Sequence, residues 1–147
     1  MSEVRGPKAG TSNISFDSIA DLSLVVLCHA RNNPTDLEWM SYLELLQSIE
    51  VVRSEYSILV HSDGGHPTRS QQMAMSEIAK NSQVRVAIVS PSIAARFITS
   101  VLVLSNPAVR CFSPQQRLEA YAHLGLPTTA AGRIDDLCAL LLGKVRN

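Results

Sequence analysis

Four residues of this 147-residue chain have side chains suited to proton transfer or metal binding and sit where strand-like runs end: His29, His61, Asp63 and His66. Imidazoles beside a carboxylate can pair as a base and its orienting partner, or bind zinc. Convergence at one point is the condition, because the chain has no HExxH, no paired Cys/His spacing and no GxSxG elbow. Around the last three runs a polar turn, Ser62-Asp63-Gly64-Gly65-His66-Pro67-Thr68-Arg69-Ser70. Its glycines suit a tight turn, and its amides suit an anion at a helix start. The spacing matches neither GxGxxG nor GxxxxGK[ST], so the plain turn is the expectation. Ser62, Thr68 and Ser70 add three hydroxyls near that helix start. Capping accounts for Thr68 and for Ser62; Ser70 has no such duty.

The elements that must position these residues are legible from hydrophobic patterning. Leu22 to Ala30 is a near-continuous apolar run, as in a strand buried on both faces. After Arg31-Asn32-Asn33-Pro34, Thr35 and Glu38 form a capping box that starts a helix. Leu37, Met40, Leu43, Leu45, Leu46 and Ile49 supply its expected apolar face, with Trp39 and Tyr42 beside it. Strand Tyr56 to His61 leads to a helix capped by Thr68 and Gln71, with Met75, Ile78 and Ala79 inward and Met73 on the flank. Strand Val84 to Val89 meets Ser90-Pro91, an N-cap followed by proline at the first helical position. A helix over Pro91 to Leu104 has Arg96 as its one charge. Its small and apolar residues, Ala94, Phe97, Ile98 and Val101 among them, suit self-association.

Ala108 to Phe112 reads as a short strand. Ser113-Pro114 opens a further helix that ends at Gly125. Pro127 to Gly132 reads as a flexible joint before an amphipathic helix with Ile134, Leu137, Cys138, Leu141, Leu142 and Val145 on one side and Leu140 off the stripe. An edge strand over Ile14 to Ile19 precedes all of these, after a disordered tail at 1–13. Strands alternating with helices of this length call for a mostly parallel sheet of four to five strands with flanking helices. The expected organisation is a tail over 1–13, an α/β domain over 14–126, and a joint with C-terminal helix over 127–147.

Composition narrows the partners. The 13 basic residues balance the 13 acidic ones, so no excess of cations exists to neutralise nucleic-acid phosphates or bind an anionic membrane. Cys28, Cys111 and Cys138 are odd in number and lack CxxC spacing, which suits buried free thiols and a reducing compartment. No signal-like apolar segment opens the chain, and the expected location is cytoplasmic. Neither a metal nor a cofactor is expected.

The order of elements, with the Ser62 to Ser70 junction as its active edge, resembles the STAS or SpoIIAA-like family. That family includes anti-sigma factor antagonists and cytoplasmic domains of sulfate transporters. Val84-Arg85-Val86-Ala87-Ile88-Val89-Ser90, then Asn106-Pro107 and Val109-Arg110-Cys111-Phe112-Ser113-Pro114, are similar to bacterial STAS-like proteins. The resemblance spans about Ile14 to Leu126. It implies a non-catalytic regulatory or scaffolding domain that works by protein–protein contact, without a cofactor; the small and apolar residues of the Pro91 to Leu104 helix add the expectation of a homodimer or larger homo-oligomer. In antagonists a serine of an Asp-Ser-Ser-Gly-type segment is phosphorylated to switch partners. Here Ser62-Asp63-Gly64-Gly65 departs from that motif, and Ser62, Thr68 or Ser70 stands in by position alone. The alternative is a small-molecule or nucleotide-binding module, or a minor enzyme, built on His29, His61, Asp63 and His66.

Overall fold

The computed structural model describes residues 12–92 and 108–145. The segment with Ala94, Phe97, Ile98 and Val101, expected to self-associate, lies outside them, as does most of the N-terminal stretch. Five strands form one sheet in sequential order: β1 (Ile14–Ile19), β2 (Leu24–His29), β3 (Glu55–Ser62), β4 (Gln83–Val89) and β5 (Val109–Phe112). β1 runs antiparallel to β2, and the other neighbours are parallel. The expected α/β class and mostly parallel sheet are therefore present. The four described α-helices are α1 (Asp36–Glu50), α2 (Arg69–Ala79), α3 (Arg117–His123) and α4 (Ala131–Leu142).

Strand alternation divides the interior into two cores. All six residues of β2 are buried. Leu24, Val26 and Cys28 join Leu59, Ala87, Val89 and Phe112 under α3 and α4. Val25 and Leu27 point the other way, into a core with Trp39, Tyr42, Leu46, Tyr56, Ile58 and Val86. α1 and α2 cover that side.

Local signals act as the sequence demands. Thr35 and Glu38 close a reciprocal capping box on α1, and Thr68 with Gln71 does the same on α2. Gly125, at φ 74°, ends α3. Its amide donates to Ala122 O at 3.0 Å, and that of Leu126 to Tyr121 O at 3.0 Å, the paired bonds of a Schellman turn.

Several details differ from expectation, among them Leu142, which is 38% exposed although the pattern puts it on the apolar side of the C-terminal helix. The buried stripe of α1 is Trp39, Tyr42 and Leu46, while Leu37 and Met40 are 77% and 58% exposed. The aromatic pair fills more volume against the sheet, and this rotates the aliphatic pair outward. Within residues 127–132, Thr128–Ala130 is a 3-10 turn, Ala130 is buried, and α4 begins at Ala131. Ile134, Cys138 and Leu141 lie in the same core as the sheet. Ser15 Oγ donates to Leu141 O at 2.6 Å, fastening α4 to β1. Leu140 is exposed, as its position off the stripe requires. Cys28 and Cys138 are buried free thiols, and Cys111 is partly exposed.

Candidate functional site

Parallel strands bring their carboxyl ends to one edge of the sheet, and the β2–α1 turn and β3–α2 loop meet there. The two are stitched by backbone bonds. Asp63 N donates to His29 O at 3.2 Å and Gly65 N to Ala30 O at 2.8 Å. His66 N donates to Asn33 Oδ1 at 3.0 Å. This close approach requires Gly65, since a Cβ there would stand 2.4 Å from Asn32 O and 2.6 Å from Ala30 O. Gly64 adopts φ 130°, a conformation open to glycine and strained for other residues.

The three hydroxyls have different fates. Ser62 Oγ is buried, donates to Gly65 O at 2.6 Å and accepts from Gly64 N at 3.0 Å. It braces the turn. Thr68 Oγ1 accepts from Gln71 N at 3.3 Å as the helix cap. Ser70 is exposed, and its Oγ lies 3.3 Å from Thr68 Oγ1. Of the three, Ser70 alone faces solvent without bracing the backbone.

Gln71 is the main tie to α1, and only the fold reveals it. The side chain is buried. Its Nε2 donates to Pro34 O at 3.1 Å and Asp36 Oδ1 at 2.9 Å, while its backbone carbonyl accepts from Trp39 Nε1 at 2.9 Å. Its capping role is local and legible from spacing; its cross-helix role depends on partners more than thirty positions away, which spacing cannot show.

The four chemistry-bearing residues do not converge. In register, His29 faces Ser62 and Cys28 faces His61, so alternation sends the two imidazoles to opposite faces of the sheet. His29 lies under α1, its ring 6.2 Å from that of Trp39. Burial, with a smaller repulsion from His66, lowers its pKa to about 4, so the ring is neutral at pH 7. His66 Nδ1 lies 3.0 Å from Pro67 O, which makes that nitrogen the N–H donor. His61 sits on the α4 side. Burial lowers its pKa while Asp135 and Asp63 oppose that shift. Asp135 in turn accepts from Tyr121 Oη at 2.5 Å and from Arg117 Nε at 3.2 Å, joining α3 to α4. Burial acts against the Asp135 carboxylate, but these bonds outweigh it and hold its pKa below the ordinary range. Among the described residues, no three His, Cys, Asp or Glu side chains are grouped to hold a metal ion. By strand register His61 lies on the face opposite His29, and the four residues are not brought to one point.

Two concavities border the loop. One, of ≈ 520 Å³, runs from His29 and His66 along the α1/α2 side of the sheet to Val86 and Ile88. The other, of ≈ 650 Å³, lies on the outer flank of α2 against Thr68, Arg69, Met73 and Glu77.

No protein-family model, curated protein or solved structure matches the chain. No described helix is long and apolar enough to cross a membrane.

Proposed function

We propose that this chain is a STAS-like cytoplasmic regulatory or scaffolding domain that acts by protein–protein contact and not by catalysis. Its contact surface is the outer side of the β3–α2 loop with the first turns of α2. The observation that supports this most is the construction of the loop. Its inward groups are consumed in bonds to the β2–α1 turn, so the outer surface is held rigid, and a preformed surface loses little entropy on binding. That surface is mixed in character: Thr68, Arg69 and Ser70 are exposed, and Met73 is 64% exposed beside them. The sequential sheet order with α1 and α2 on one face is compatible with the resemblance. A phosphate on Ser70 would lie in the first turn of α2 beside Arg69, favoured by the helix dipole and able to repel an acidic partner. Self-association through Ala94, Phe97, Ile98 and Val101 belongs to the same reading.

The test is a photo-crosslinking residue at position 73, compared with one at position 118 on α3, where Leu118 is 56% exposed. A discrete adduct from position 73, absent from position 118 and abolished by Arg69→Glu, is the expected result. Equal, diffuse labelling from both positions would remove the α2 surface from the proposal. Light scattering of the wild type beside Phe97→Asp checks self-association: a dimer converted to a folded monomer is expected.

A further inference from the structure

Asp63-Gly64 is the one Asp-Gly step in the chain. At such a step the glycine nitrogen can attack the aspartyl side-chain carbonyl, because glycine has no Cβ to crowd that nitrogen. Asp63 is exposed, and no hydrogen bond holds its carboxyl among the described residues. The fold acts on the other reactant. Gly64 N–H donates to Ser62 Oγ at 3.0 Å, and the buried Ser62 hydroxyl gives its own proton to Gly65 O at 2.6 Å. A backbone nitrogen attacks only as it gives up its proton, so a bond that holds the proton slows the attack. The step is also pinned on both sides, by Asp63 N to His29 O at 3.2 Å and Gly65 N to Ala30 O at 2.8 Å. Those bonds restrain the backbone rotation that would swing the Gly64 nitrogen onto the carboxyl.

We propose that Asp63-Gly64 is a site of spontaneous backbone isomerisation to isoaspartate, held in check by the Ser62 hydroxyl. In the first step the Gly64 nitrogen bonds to Asp63 Cγ and loses its proton, and a carboxyl oxygen leaves as water. A cyclic imide results. In the second step water adds to one of the two ring carbonyls and breaks its bond to nitrogen. Opening at the backbone carbonyl leaves the main chain running through Asp63 Cγ, as isoaspartate; opening at the side-chain carbonyl restores aspartate. The water lost is the water regained, and nothing is oxidised or reduced. The product carries an extra methylene in the main chain between the Asp63 and Gly65 amides. The spacing that serves His29 O and Ala30 O together is then lost, and with it the anchor of the loop on the β2–α1 turn. This site stands whether or not the outer α2 surface binds a protein.

The experiment ages the whole chain at neutral pH and body temperature, folded and, in parallel, unfolded in guanidinium chloride. Isoaspartate is read by methyl transfer from an isoaspartyl O-methyltransferase, and peptide mapping with electron-transfer fragmentation locates it. The expected result is isoaspartate at position 63, forming more slowly in the folded chain than in the unfolded one. Asp63→Glu should remove that signal. Ser62→Ala deletes the acceptor and should speed the folded reaction about 2- to 10-fold, the ratio of one net hydrogen bond. The same variant should lose the protection of the Gly64 amide against hydrogen exchange. Three results would each overturn the proposal: no isoaspartate at position 63 in either sample, equal rates in the folded and unfolded wild type, or a folded Ser62→Ala at the wild-type rate. The comparison of folded with unfolded wild type needs no variant, so it decides even where Ser62→Ala does not fold.

Discussion

Replacing Gly65 by alanine tests whether the candidate loop is as rigid as its contacts imply. The added Cβ would lie 2.4 Å from Asn32 O, 2.6 Å from Ala30 O and 3.0 Å from Asn32 C. All three are backbone atoms, so no rotamer change can make room, and the loop must move away from the β2–α1 turn. That displacement gives up the bond from Gly65 N to Ala30 O and weakens the one from His66 N to Asn33 Oδ1. Overpacking of this kind costs about 1–3 kcal/mol, and each weakened bond adds about 0.5–1.5 kcal/mol. Because relaxation trades one term against the other, the expected loss is about 2–4 kcal/mol. Gly132 provides the control: it lies in α4 and a Cβ there meets nothing within 4 Å. Gly132→Ala should stabilise by about 0.5–1 kcal/mol through helix propensity alone. Urea unfolding followed by Trp39, the one tryptophan of the chain, reads both variants. Its indole donates to Gln71 O and so reports on the same junction. The m-value should not change if only the folded state is strained. A Gly65→Ala protein within about 0.5 kcal/mol of the wild type, the range of ordinary surface substitutions, would refute the rigid-loop reasoning.

Stability should fall as the pH drops from about 6.5 to about 4: His29 stays neutral in the folded chain, while the unfolded chain takes up a proton across that window. The contribution reaches about 3 kcal/mol at most, and unfolding titrations of His29→Gln should show a flatter slope, with His61 leaving a residue of the same sign. Gln71→Leu strands the Thr68 amide and the Pro34 carbonyl, and should cost about 2–3 kcal/mol by the same urea assay. A neutral outcome there would mean that water replaces the amide. Asp135→Ala removes the bonds from Arg117 and Tyr121, but the pair is half exposed, so a loss of about 1 kcal/mol is expected, smaller in high salt. A loss independent of salt would point to packing at Tyr121 instead.

Much of the architecture was readable along the chain because its determinants are local. The all-buried strand Leu24–His29, the capping boxes at Thr35 and Thr68, and the glycine stop at Gly125 depend on neighbours a few residues away. Side-chain rotation on α1 was not readable, since Leu37, Met40, Trp39 and Tyr42 all satisfy an apolar pattern. Which of them faces inward depends on the volume waiting under the helix. The strand-end cluster misled for a related reason: nearness in sequence places His61 beside Asp63 and His66, but says nothing of the face on which its ring lies.

By itself, the sequence determined that this is an α/β chain with a mostly parallel sheet, and that its polar edge lies at the end of the strand over Tyr56 to His61. Periodicity and caps encode those facts in every short window. The tertiary structure alone decided that His29 and His61 part company across the sheet. It also made Ser62 a buried brace while leaving Ser70 exposed, and gave Gln71 and Asp135 partners far along the chain. Each of these follows from strand register and helix docking, which join segments that no local pattern can relate.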